Sequence, residues 1–301
     1  MNLRRFNIER HLRNRMHTAW MLCSLVVVMV VPLLLFAGLA YKSLPLLSDH
    51  SVLSLIFSRE WKPMSGHFGF YTFIISSLWV TVLALLIAAP VCLLTAIHLT
   101  QYARRWVLHL MHPVIDLLSG IPSVIIGVWG ILVIVPAISK YVGPFFGKTV
   151  SGYSILAGSV VLAIMIIPFI LNILIELFQN IPVELKEASL SLGATKWQTI
   201  KLVLIRKIMP GIVSSFALGM SRAFGETIAV LMVVGNVTQI PKSIFHPGYP
   251  LPALIANNYG EMLSVPLYDS ALMLAALILF VIVICFHFLS RIVVIRSEKF
   301  Q

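Results

Sequence analysis

The chain has 301 residues, of which 59% are hydrophobic and only 11% charged, with a mean hydropathy of +0.97. A water-soluble domain carries about 25% charged residues, so this composition excludes an ordinary soluble protein and makes lipid the natural solvent for most of the surface. The net charge of +11 does not indicate nucleic-acid binding, because the basic residues gather at the ends of apolar blocks and no nucleic-acid-reading module accompanies them.

Met1 to His17 form a polar segment holding Arg4, Arg5, Arg10, Arg13 and Arg15. Six apolar blocks follow, Thr18–Tyr41, Tyr71–His98, Pro113–Ile138, Tyr153–Phe178, Ile208–Val234 and Ala271–Ile295. Each is long enough to cross a hydrocarbon core, which takes about 20 residues of helix. The blocks are continuous rather than alternating, so helices are predicted and not barrel strands. The expected architecture is an all-α integral membrane domain over residues 18–295, with the basic segment 1–17 before it and a tail, 296–301, after it. The first block is too long for a cleavable signal peptide and lacks a small-residue cleavage site, so it reads as a span.

With the N-terminus placed in the cytoplasm, 15 of the 22 lysines and arginines fall in inside segments and 6 in outside loops, while Arg222 lies within the fifth block. This excess predicts two cytoplasmic termini, with anionic lipid headgroups as a secondary partner. No metal is expected. Cys23, Cys92 and Cys285 lie inside apolar blocks without clip spacing, and His109 and His112 sit beside Arg104 and Arg105 at a membrane boundary, where headgroup contact is the ordinary role. Asp116 and Glu176 lie near the cytoplasmic ends of their blocks; they read as caps or snorkelling groups, with a place in an inner vestibule as the alternative.

A polar segment, residues 179–207, separates the fourth and fifth blocks. Pro182 suits a first helical turn, and Glu184 and Glu187 lie early, where the helix dipole favours anions. Leu185, Ala188, Ser189 and Leu192 share one helical face. Gly193 supplies a stop, and Thr195 with Gln198 forms a capping box for a second helix. The predicted product is helix, turn, helix on the cytoplasmic side, which suits an ordinary connection or a docking element equally well.

The fifth block carries Arg222 and Glu226 well inside it. An ionisable residue at that depth costs about 2.5–3.5 kcal/mol on insertion scales unless it is partnered or hydrated. Four residues apart in a helix, the two would share a face and pair, although their order is the less favourable one for helix stability. A static ion pair is one reading. The favoured reading is a charged station on a water-filled path, where the arginine fork binds an oxyanion and the glutamate holds it in place. Gly211, Gly219 and Gly225 would permit close helix approach on the same span.

Three motifs carry a resemblance. Glu187-Ala188-Ser189, followed by Gly193, resembles the "EAA" loop of bacterial ABC-importer permeases, although the proline that usually ends that loop is replaced by Arg206. Ser221-Arg222-Ala223-Phe224-Gly225-Glu226-Thr227 with Gly235-Asn236, and Gly120-Ile121-Pro122-Ser123 with Gly127-Val128-Trp129-Gly130, resemble stretches of the phosphate-importer permeases. Trp61-Lys62-Pro63 with Phe68-Gly69 is similar to a segment of their PstC-type branch.

The resemblance implies a type I ABC-importer permease (MetI-like) fold. It implies a channel-forming subunit that moves inorganic phosphate into the cytoplasm by alternating access, with sulfate or molybdate transport, or a non-transporting scaffold or sensor, as alternatives. Arg222 and Glu226 would contact phosphate, with hydroxyls from Ser119 and Ser123 and a kink at Pro122. Glu187, Ala188, Ser189 and Gly193 would form the coupling loop to the ATPase. The implied partners are a second, PstA-like permease, a dimer of ATP-hydrolysing subunits and an extracytoplasmic phosphate-binding protein. The chain lacks a G-x-x-x-x-G-K-[ST] loop, so ATP is expected to be used by the partner and no cofactor to bind here. The loop 236–270 holds a predicted short surface helix over Leu254–Leu263, a candidate docking surface for that binding protein or a simple apolar lid.

Overall fold

The computed structural model describes residues 2–260, 265 and 267–298, with side chains from residue 14 onward except those of 290, 293, 294 and 296–298. Among the described residues the regular structure is helical apart from one small hairpin and an isolated bridge between Gly235 and Gly248. In order, the helices are α1 (Asn2–Asp49), α2 (Val52–Phe57), α3 (Tyr71–Tyr102) and α4 (Arg105–Gly120). Then come α5 (Ser123–Phe145), α6 (Ile155–Gln179), α7 (Val183–Ser191) and α8 (Lys196–Gly225). The last three are α9 (Ile228–Val233), α10 (Leu251–Asn258) and α11 (Tyr268–Glu298). Strands β1 (Trp61–Lys62) and β2 (His67–Phe68) pair antiparallel, Trp61 opposite Phe68.

Six of these helices, α1, α3, α5, α6, α8 and α11, are long and apolar enough to cross a membrane. The centre of the bundle is the α3–α6 pair. On α3, Ser77, Thr81, Ala84, Ala88, Cys92 and Ala96 recur every three or four residues and all are buried. Such a stripe of small side chains lets two backbones approach closely, which is how helices gain contact in lipid. α6 answers with the bulky residues Ile166, Ile170 and Leu174, also buried. α8 lies on the same helix through Gly211 and Gly219, where an added Cβ would collide with Leu177 and Ile170. α11 packs on α8, and α1 packs along α11, joined by Phe36 on Phe280 and by the Lys42–Asp269 ion pair at 3.8 Å.

At the other end of the bundle from α7, Trp61 meets Phe68, Phe70, Phe73 and Tyr268 edge-on, at 4.9–5.9 Å between ring centroids. This cluster gives the Trp-Lys-Pro and Phe-Gly residues a packing role. The predicted surface helix is α10, which begins three residues earlier than expected; residues 261–264 fall outside the described set. Leu251 to Leu254 are buried, and the Leu251 amide donates to Ser77 Oγ at 2.8 Å, fastening α10 to α3.

Two spans differ from their predicted extents. The third block is not one kinked helix, because α4 ends at Gly120 and α5 starts at Ser123. Ile121 is extended (φ −67°, ψ 126°), as expected of a residue crowded by the ring of a following proline. The fifth block is also broken: α8 ends at Gly225, Glu226 is extended (φ −73°, ψ 125°), and α9 begins at Ile228. Ala229, Val230 and Val233 of α9 are buried, against α5, α6 and α10. Thr227 Oγ1 donates to the Gly225 carbonyl at 3.2 Å, replacing locally a helical hydrogen bond lost at the break.

Candidate functional site

The break between α8 and α9 governs Arg222. Ala223 and Phe224 are buried, with Phe224 stacked on Phe286 at 5.0 Å, which leaves Arg222 on the exposed side. Its guanidinium carbon lies 4.9 Å from the centroid of the Phe169 ring on α6, a cation–π contact that orients the group without neutralising it. The expected Arg222–Glu226 pair is not formed. Helix spacing stops at Gly225, so the four-residue offset no longer places both side chains on one face, and no ion pair among the described residues involves either. Gly225 likewise lies outside the packing seam, with open space where a Cβ would stand.

The Gly-Ile-Pro-Ser stretch does two jobs. Gly127 and Gly130 seat α5 against Ala229 and Met232, and against Val161 and Val233, with no room for side chains of their own. Ser119 and Ser123 stand on either side of the α4–α5 break, half-buried. The break opens a cleft of about 850 Å³ whose lining includes Asp116, Gly120 and Pro122. An adjoining apolar recess of about 390 Å³ reaches Trp129 and Pro168. Asp116 Oδ1 accepts from Asn172 Nδ2 on α6 at 3.1 Å.

The polar segment folds as the spacing predicts. α7 has no buried residue, Gly193 adopts φ +85°, and the Thr195–Gln198 capping box is complete. The second helix of this unit is the start of α8 itself, which runs without interruption past Arg206 and Pro210. Glu187 and Ala188 are exposed, and Leu192 at the tip is 90% exposed, an apolar knob presented by the turn.

Tertiary contacts that local sequence did not announce hold this unit to α3. Lys186 Nζ donates to Gln101 Oε1 at 3.3 Å, while within the unit the Ser189 and Thr199 hydroxyls, 2.9 Å apart, tie α7 to the start of α8. Lys196 Nζ sits 4.3 Å from the centroid of the Tyr102 ring, which stacks in turn on His98. Gln101 and Lys186 are 85 residues apart, so no sequence window contains both. Among the described residues, no group of three or more His, Cys, Asp or Glu is placed to hold a metal.

The fold and these breaks define a polytopic membrane protein with a projecting helix pair. Residues 90–299 match the family described as binding-protein-dependent transport system inner membrane component. The phosphate transport system permease protein PstC of Xylella fastidiosa is 35% identical over 82% of this chain and 80% of its own length. The probable ABC transporter permease protein YqgH of Bacillus subtilis is 36% identical over 89% and 86%. Among solved structures, a chain of a bacterial alginate ABC transporter superposes with a TM-score of 0.63 at 15% identity, over 94% of each chain. The chain belongs to the family of inner-membrane components of binding-protein-dependent transport systems, in its PstC-type branch.

Proposed function

We propose that this chain is one of two permease subunits of an ATP-driven importer that carries inorganic phosphate into the cytoplasm by alternating access. The observation that carries this reading is Arg222, exposed at the end of an interrupted span and without an ion-pair partner among the described residues. A membrane-depth arginine left unneutralised calls for a polar path or ligand, and its planar fork suits an oxyanion. Relatives named phosphate transport system permeases support phosphate as the cargo. Ser119, Ser123 and Glu226 contribute to the same path, with Glu226 acting on the passing anion rather than on Arg222. The α7–α8 turn, led by Glu187, Ala188, Ser189 and Gly193, docks on a separate ATP-hydrolysing dimer; the exposed Leu192 supports this. A PstA-like permease completes the path, and a phosphate-binding protein delivers from outside.

Vesicles holding the whole assembly test the reading. Labelled phosphate is taken up, sulfate and molybdate in excess compete poorly, and Arg222→Gln stops uptake at matched complex levels without detaching the ATPase. Uptake near the unmodified rate in Arg222→Gln would return Arg222 to a packing role. The 15-to-6 distribution of basic residues supports cytoplasmic termini. In a cysteine-free chain, a cysteine at Ser191 is expected to be protected from an impermeant thiol reagent outside intact cells and one at Ser243 to react; the reverse pattern inverts the orientation.

A further inference from the structure

We infer that Asp116, held by Asn172, is a second substrate-contacting residue on the cytoplasmic side of Arg222, and that it restricts the path to oxyanions carrying a proton. The inference rests on the reading of Arg222 as an anion station and assigns that site its substrate class.

Three elements distant in sequence converge here. Arg222 of α8 lies over Phe169, and Asp116 of α4 is hydrogen-bonded to Asn172. Phe169 and Asn172 are three residues apart on α6, so they are neighbours on one helical face, separated by about 4.5 Å along the axis. α6 runs toward the polar segment that precedes α7, which places Asn172 and Asp116 one step nearer that side than Arg222. Both charged residues are exposed on the surface of the chain, and Asp116 faces the cleft opened by the Ile121–Pro122 break.

Each residue touches α6, Asp116 through Asn172 and Arg222 through Phe169. No ion pair among the described residues involves Asp116 or Arg222, so both charges are open to a ligand. The Asn172 amide fixes one carboxylate oxygen by donating to it. The other oxygen is left to accept, and an ionised carboxylate does nothing but accept. A partner bound between Asp116 and Arg222 must therefore donate to one and accept from the other. Inorganic phosphate at neutral pH does both, since at least one of its oxygens carries a proton. Sulfate, molybdate and the phosphodiester of a lipid headgroup carry none, and each would set its lone pairs against those of Asp116.

Equilibrium binding of labelled inorganic phosphate to the purified permease–ATPase assembly, without the binding protein, tests this. The wild-type assembly is expected to bind phosphate and to release it to unlabelled phosphate, but not to equal sulfate or dimethyl phosphate. In Asp116→Asn, which is isosteric and exposed, the new amide donates to sulfate, and the preference for phosphate over sulfate falls by about 10- to 100-fold. Asn172→Ala frees Asp116 from its donor and lowers the preference by a smaller factor, at unchanged co-purification with the partner subunits. An unchanged preference in Asp116→Asn, or sulfate competing equally in the wild type, would overturn the inference. Phosphate binding lost in Arg222→Gln alongside an unchanged preference in Asp116→Asn rejects this inference alone. Phosphate binding retained in Arg222→Gln, or absent from the wild-type assembly, rejects the Arg222 reading with it.

Discussion

The turn joining α7 to α8 and the break joining α8 to α9 both redirect the chain next to a glycine, yet different forces specify them. At the first, Gly193 takes φ +85° and Thr195 and Gln198 satisfy the open amides of the next helix. The devices that shape this turn are local, a left-handed glycine and a polar cap, while contacts to Gln101 and Tyr102 seat the unit on the bundle. At the second, Gly225 has an ordinary negative φ, and the local polar contact is the Thr227 hydroxyl donating to the Gly225 carbonyl. There the chain leaves the helix because Ala229, Val230 and Val233 are buried against neighbouring elements. Under the proposed function, a locally specified turn suits the part that docks on the ATPase, and a break imposed by packing suits a site that holds a charge away from its own bundle.

Changes at the two glycines should separate these cases. Gly193→Val forces a β-branched residue into the left-handed region at about 1–2 kcal/mol. The ATPase is expected to detach, or to hydrolyse without transport, read by co-purification and by the ratio of hydrolysis to uptake. Normal values for both would mean that the turn tolerates another geometry. Thr195→Ala removes one half of the capping box and is expected to weaken the start of α8 by about 1 kcal/mol. Partial uncoupling, restored by Thr195→Ser, is the expected signature; no restoration would assign the loss to packing rather than to the cap. Gly225→Ala is the smallest change. Open space and an ordinary backbone there predict assembly within about 0.5 kcal/mol of wild type, measured as thermal stability of the purified complex. Strong destabilisation would show that the break needs glycine after all.

The same contrast explains what could be read in advance. The six spans, the Gly193 stop and the capping box were legible because each depends on a run of apolar residues or on neighbours within one helical turn. Gly211 and Gly219 were also legible as a packing seam. The Arg222–Glu226 pairing failed because it assumed that a continuous apolar block is a continuous helix. The Asp116–Asn172 contact was missed because its partners are 56 residues apart, and neither residue type is unusual in isolation.

By itself, the sequence determined that this protein lives in lipid, how many times it can cross, and where a glycine must reverse the chain in water. Hydropathy and φ preferences are properties of single residues and short windows, so no fold is needed to read them. Tertiary structure decided where the third and fifth blocks break, which side Arg222 faces, and which carboxylate shares its face of α6. Inside lipid every segment is apolar, so composition no longer distinguishes a core from a surface. Only close packing, the fit of Ile170 against Gly219 or Val233 against Gly130, chooses one arrangement from the many that hydropathy allows.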